Sequence, residues 1–273
     1  MTTTQKLIKN LGLALAVFLS VCIIGGIITA LGGIAYIFSD REEPAGEMKV
    51  YSIESEISSL SVDLSGAELK IKTADKFSVE SNHKYISVNS DNGKLTVSET
   101  KKPFSFSSKG VTVVLCVPAG FVFKEAAIET GAGKVSVDAL SCNDLKLSLG
   151  AGKADVKNLI ANSDAHIDGG AGELNIDGGL LSNLELDMGV GELNLKSRIE
   201  GESEIDYGVG ETNLTLLGSR EDYKIKLDKG IGEAKIEGLS MADGFVYGTG
   251  ENLIDIDGGV GEINIEFSEY GNE

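Results

Sequence analysis

Leu184-Glu185-Leu186-Asp187 and Glu192-Leu193-Asn194-Leu195 alternate apolar and polar residues with period two, the pattern of strands that bury one face. Gly189-Val190-Gly191 stands between them, and this unit recurs through the second half of the chain. Its first glycine falls at Gly131, Gly150, Gly170, Gly189, Gly208, Gly230, Gly248 and Gly259, and the early steps are close to one another in length. Aligned on that glycine, three rows are apolar. Three before it stand Ile128, Leu147, Ile167, Leu186, Ile205, Leu227 and Ile256. Between the glycines stand Ala132, Ala151, Ala171, Val190, Val209, Ile231 and Val260, and six after the first come Val137, Val156, Ile176, Leu195, Leu214, Ile236 and Ile265. Polar rows separate them: Glu129, Ser148, Asp168, Asp187, Asp206, Asp228 and Asp257 two before, and Ser136, Asp155, Asn175, Asn194, Asn213, Lys235 and Asn264 five after.

A period near twenty makes this a repeat architecture. Two short strands cannot bury an apolar face alone, but stacked coils bury a continuous apolar column. The glycines supply the positive φ or close backbone approach of a sharp corner. The pattern therefore predicts an all-β chain forming one right-handed β-solenoid, β-helix-like, with coils of about 20 residues. At roughly 4.8 Å per coil, seven or eight coils span about 35 Å. The corner at Gly259 follows Gly248 after only half the usual interval, and Asn252 falls where an apolar residue belongs, which predicts an irregular penultimate coil there.

Upstream, Leu60, Val62 and Leu64 alternate with polar residues before a Ser65-Gly66-Ala67-Glu68 corner, a worn copy of the repeat. Strands are expected at Phe77 to Glu80, Tyr85 to Val88 and Leu95 to Val97, with an Asp91-Asn92-Gly93 turn. Lys101 to Lys109 reads as a polar loop, and Val111 to Val117 as a fully buried strand ended by Pro118-Ala119-Gly120. Residues 48–127 are thus an irregular β region capping one end of the 128–273 solenoid, while acidic Glu266 to Glu273 closes the other and discourages end-to-end stacking.

Before all this, the stretch from Leu11 to Phe38 carries no charge, and at about 42 Å it is long enough to cross a hydrocarbon core of about 30 Å. It is longer than the apolar core of a signal peptide and lacks a convincing cleavage site, so a retained anchor is expected. Residues 1–9 form a cytoplasmic tail, 10–38 a transmembrane helix and 39–47 a linker. Lys6 and Lys9 precede the helix and Asp40, Arg41, Glu42 and Glu43 follow it, which by the positive-inside rule places the rest outside the cytoplasm. Gly25-Gly26 and Gly32-Gly33 offer close-packing positions for two anchors.

A formal net charge of −18 argues against nucleic acid as a partner. With 35 Gly, 3 Pro and no Trp, the composition suits tight corners packed with aliphatic ladders. Cys116 reads as a buried free thiol, with a disulfide to Cys142 as the alternative, and Cys22 lies in the apolar segment. No Cys/His cluster suggests zinc; His83 stands apart, and His166 sits on an outward row with Lys146, Glu185 and Lys226. The GAGK stretches at Gly131 and Gly150 lack the upstream Gly and following Ser or Thr of a phosphate loop. Gly169 to Gly172 and Gly258 to Gly261 lack the Asp of calcium nonapeptide repeats, having Leu174 and Ile263 instead.

The acid rows are the strongest candidate for chemistry. Glu173, Glu192, Glu211, Glu233 and Glu262 follow the corner, and the Asp row lies across it. Stacked like charges about 4.8 Å apart repel by roughly 0.9 kcal/mol per pair in water. Such rows carry raised pKa values, recruit divalent cations weakly between them, or serve as a solvated face that keeps the rod soluble. No catalytic, cofactor or metal residues are assigned and no cofactor is expected. The acids recur at every coil, with no departure to mark an active site.

The apolar segment, SSLSVDLSGAELKIKTADKFSVES, VTVVLCVPAGFVFKEAAIETGAGKVSV and the GxG-[K/E] ladder together resemble the bacterial "putative adhesin" family, also called toast-rack domains, over Met48 to Phe267. The resemblance implies a glycine-rich β-solenoid on the cell envelope, often encoded near envelope-stress regulators, and supplies no catalytic residues. The expected function is a membrane-anchored extracytoplasmic scaffold, adhesin-like and non-enzymatic, with other envelope proteins or wall polymers as partners. The alternatives are an envelope-stress sensor partner of other membrane proteins and a polysaccharide-active β-helix enzyme.

Overall fold

A computed structural model describes residues 46–99 and 110–269. The expected tail, the transmembrane helix, most of the linker, the Lys101 to Lys109 loop and the end of the chain after residue 269 lie outside them. Among the described residues no helix is long and apolar enough to cross a membrane. What is described is all-β, interrupted by one 3-10 turn at Arg220–Asp222.

The strand Leu184–Glu200 shows how sequence becomes coil. Leu184, Leu186 and Met188 point inward, as do Leu193, Leu195, Ser197 and Ile199. Even positions are buried before Gly189-Val190-Gly191 and odd positions after it, so the corner reverses the alternation and keeps both arms facing one core. This strand lies in parallel on Glu202–Leu217 without slippage: Leu186 on Ile205, Asp187 on Asp206, Val190 on Val209, Glu192 on Glu211 and Asn194 on Asn213.

Close stacking explains the second glycine of the corner. Gly191 has φ 142°, and a Cβ built on it would lie 1.8 Å from the Gly172 carbonyl oxygen. Both the conformation and the space exclude a side chain. The buried side chains join into one core that runs from Ile57 to Ile265. Two of the three apolar rows line it, but the row between the glycines does not. Val190 is 42% and Ile231 38% exposed, because the residue at the vertex projects away from both arms.

Among the described residues nine layers stack, in an order that differs from the sequence. Lys94–Glu99 and Thr112–Pro118 form the first layer, against Ser59–Leu64 and Glu68–Ala74. Val122–Val137 follows, then Leu140–Val156, Leu159–Asp168 with Ala171–Ile176, Leu184–Glu200 and Glu202–Leu217. The eighth layer is the last strand, Asn252–Ser268, and the ninth is Tyr223–Asp228 with Ile231–Ile236. The first and last coils of the described chain are therefore each sandwiched one layer in from an end.

The worn copy at Ser65 to Glu68 is a true coil: Leu64 pairs with Thr130, Leu69 with Val135, and the Ala132 amide donates to the Ser65 carbonyl at 2.8 Å. The Gly248 stretch, by contrast, is not a coil. Phe245–Tyr247 runs antiparallel along Ile225 to Leu227 on the outer edge. A link at Gly218 to Asp222 carries the chain past the eighth layer, with the Gly218 amide donating to the Ser268 carbonyl at 2.9 Å. The buried Tyr223 hydroxyl donates to the Leu217 carbonyl at 2.6 Å and pins that link.

Antiparallel strands cover both ends. Ser78–Ser81 lies on Thr112–Pro118, Lys49–Ser52 lies on Ser78–Ser81, and Ile86–Asp91 folds onto Lys94–Glu99 through the expected turn, where Asn92 and Gly93 have φ 50° and 77°. At the far end Leu239–Ser240 covers Ile231–Ile236. The start of the acidic C-terminal stretch lies inside the stack instead, where Glu266 pairs with Thr215 and Phe267 with Leu216, and residues 270–273 lie outside the described residues. Thr112–Pro118 is half-buried rather than fully buried, since Val113, Leu115 and Val117 face the core while Cys116 faces out. Both described cysteines are free. Cys142 is the buried one, its thiol pushed up to about 12 by burial and by Asp144.

Candidate functional site

The corners align into a ridge with one polar face on each side. On the face after the corner, the asparagines form a ladder. The Asn194 amide donates to Asn175 Oδ1 at 2.8 Å, Asn213 to Asn194 at 3.0 Å, and Asn264 to Asn213 at 3.0 Å. The first rung, Asn175, donates to Asp155 at 2.9 Å. Three of the four amides also reach back to their own coil's glutamate, Asn175 to Glu173 at 2.7 Å, Asn194 to Glu192 at 2.8 Å and Asn213 to Glu211 at 3.0 Å.

This face compensates its own charge at its basic end. Lys153 Nζ lies 2.7 Å from Glu173 and 3.3 Å from Asp155. Lys153 and then Asn175 hold Glu173 below its ordinary value. Burial pushes Asp155 up, but Asn175 and Lys153 outweigh it and the net direction is down. Lys235 at the far end likewise lowers Glu233.

The face before the corner is different. Asp168, Asp187, Asp206, Asp257 and Asp228 stack in that order, in register. Beside them runs a second outward row, Lys146, His166, Glu185, Glu204, Asp255 and Lys226. At one end His166 Nδ1 lies 3.1 Å from Glu185, and at the other Lys226 Nζ neutralises Asp255 at 2.9 Å. The centre is crowded with like charge. Asp206 is raised by burial and then by Asp187 and Asp257, and Glu204 is raised by Asp206 first. A shallow open trough of about 640 Å³ follows this row, lined by Asp168, Asp187, Met188, Asp206, Tyr207 and Asp257.

Among the described residues, carboxylate oxygens of Glu204, Asp206 and Asp257 come within 4.8 Å of one another. The donors are hard and partly exposed, suited to weak binding of a hard cation that keeps most of its water. This differs from the arrangement expected from sequence, in which cations sit between the Asp and Glu rows. Those rows fall on opposite sides of the ridge, with the aliphatic row between them. The triad joins coils whose aspartates are far apart along the chain, since Asp206 pairs with Asp257. The sequence carries no signal for this pairing, since Asp-x-Gly-Val-Gly-Glu stands at Asp187 as well as at Asp206 and Asp257.

The placements of the histidines are clear. His166 is half-exposed on its outward row, as expected. His83 sits instead in the first end cap, its Nε2 3.4 Å from a buried Glu99 carboxylate.

The family model Toastrack DUF4097 matches residues 57–268. The chain belongs to the Toastrack family. No curated protein matches it. Among solved structures, it is similar to a "putative cell adhesion protein" of Clostridium sporogenes, at 19% identity and TM-score 0.37, covering 81% of this chain and 99% of that one. A "putative adhesin" of Bacteroides fragilis is similar at 14% identity and TM-score 0.42, covering 80% and 96%. The Toastrack match includes both coils that lie out of sequence order, Ser59–Leu64 with Glu68–Ala74, and Asn252–Ser268. Both faces of the Toastrack ridge, from Glu129 to Glu262, lie within it.

Proposed function

We propose that this chain is an extracytoplasmic binding scaffold of the bacterial envelope: a right-handed β-solenoid, adhesin-like and non-enzymatic, held by a transmembrane helix at residues 10–38. The observation that carries this reading is that the outward rows recur coil after coil in register. A repeated surface suits an extended partner, whereas catalysis needs a local break where unlike groups converge. The handedness follows the general preference of parallel crossover connections. Charge on either side of the apolar segment supports the orientation, and envelope proteins or wall polymers are the partners it points to. Weak divalent-cation binding at Glu204, Asp206 and Asp257 belongs to the same reading.

Crosslinking in intact cells, with the full-length chain against an anchor-only control, tests the function. Envelope proteins or wall polymer captured only by the full-length chain support the scaffold; equal capture by both excludes it. Calcium titration tests the cation site. A melting temperature that rises at millimolar calcium in the native chain but not in Asp206→Asn supports it, and an unchanged melting temperature removes it.

A further inference from the structure

From Ala132 to Val260 the residue between the corner glycines is apolar in each coil, although none of these ridge residues joins the core. Ala171, Val190, Val209, Val260 and Ile231 stack in that order. The two glycines, not the residue between them, meet the demands of the corner, since it is their Cβ atoms that would strike the neighbouring coil. Side-by-side valines give some cross-strand contact, which accounts for β-branched residues there. It does not account for the flanks. Over the same five layers every ridge residue has an aspartate three positions before it and a glutamate two after it, so the carboxylates form two parallel lines.

We infer that this ridge is a docking surface for a cationic amphipathic helix, laid along the stack with its apolar stripe on the aliphatic row and its Lys or Arg side chains reaching the carboxylates on both sides. This rests on the binding role proposed above and names the partner's chemistry. Five layers make four steps of about 4.8 Å, close to about 19 Å. A helix of about 13 residues covers that length, and its pitch of about 5.4 Å lets successive apolar side chains fall on successive layers. Lysine and arginine stems lie along apolar surface while their heads reach outward, which matches a narrow apolar line between acidic lines.

An extended strand is the poorer occupant. The ridge backbone already spends its hydrogen bonds on the layers above and below, so it offers no free edge. An anionic lipid surface is repelled by both faces. A cation without an apolar stripe would use the flanks and leave the ridge in water.

The test uses the full-length chain in nanodiscs of zwitterionic lipid, with empty discs as the blank, and a short fluorescent Leu/Lys/Ala peptide, four helical turns long and apolar at i, i+3, i+4 and i+7. A scrambled peptide of the same composition is the comparison. Anisotropy is expected to give about tenfold tighter binding of the amphipathic peptide, a difference of about 1.4 kcal/mol. Val190→Ser with Val209→Ser should remove that preference, and Glu192→Gln with Asp187→Asn should weaken both peptides about threefold or more at low salt and little at high salt. Both pairs lie outside the core, and a retained melting transition verifies the fold. Equal binding of the two peptides, no binding, or a preference that survives the serine pair would overturn the inference. The readout is independent of where the protein sits in the cell. Peptide binding by a chain found in the cytoplasm defeats the envelope reading alone, and an extracytoplasmic chain that ignores the peptide defeats the docking surface alone.

Discussion

At the residue scale, the repeat assigns each position a task, and departures from it have predictable costs. Thr212 occupies an inward row filled elsewhere by Leu174, Leu193 and Ile263, and its buried hydroxyl has no hydrogen-bond partner. Thr212→Val keeps the shape and removes the unsatisfied group, so it should stabilise the chain by about 1 kcal/mol, read as an increase in denaturation midpoint with unchanged slope. Gly191→Ala should do the reverse. It places a Cβ against the Gly172 carbonyl at a φ that side chains rarely adopt, a loss of about 3 kcal/mol or more by the same measurement. Asp206 gives a pH signature. Because its folded carboxyl is raised, its contribution is fully favourable below the ordinary aspartate range and is lost as pH rises through the folded value. Asp206→Asn should therefore raise the melting temperature at pH 7 by about 2 °C, in keeping with one relieved like-charge contact, and leave it unchanged near pH 3. A gain equal at both pH values would mean that charge is not the cause.

At the element scale, the coil was readable because one alternation and one corner recur, and the layer order was not. Register within a coil follows from which side chains are apolar, information each coil carries in itself. Which coil lies on which depends on complementary edges, and all coils present similar edges. The step from Gly208 to Gly230 is longer than those before it, the trace of a link that passes a layer. The outward turn of the ridge row was hidden for a related reason. Apolar character at Val190 suggests burial, while its position between two glycines puts it at the vertex. Engineered cysteines test the order. In a background without Cys116, Val209→Cys with Val260→Cys joins neighbouring layers and should form a disulfide under mild oxidation. Val209→Cys with Ile231→Cys spans two layers, about 9.6 Å, and should not.

At the scale of the molecule, the ridge divides two acidic faces that the sequence presents as one acidic repeat. One is tied down by asparagines and lysines, and the other accumulates charge around Asp206. The family and the all-β nature were legible from Met48 onward, since both rest on the repeat. The Glu204, Asp206 and Asp257 triad was not, because it depends on the last coil returning beside Glu202–Leu217. Impermeant maleimide labelling of Val190→Cys in intact cells, in a Cys116→Ser background, tests the scaffold reading most directly. The reading predicts labelling in intact cells equal to that after lysis, with a folded ridge facing outward on the far side of the membrane. Labelling that appears only after lysis would contradict it.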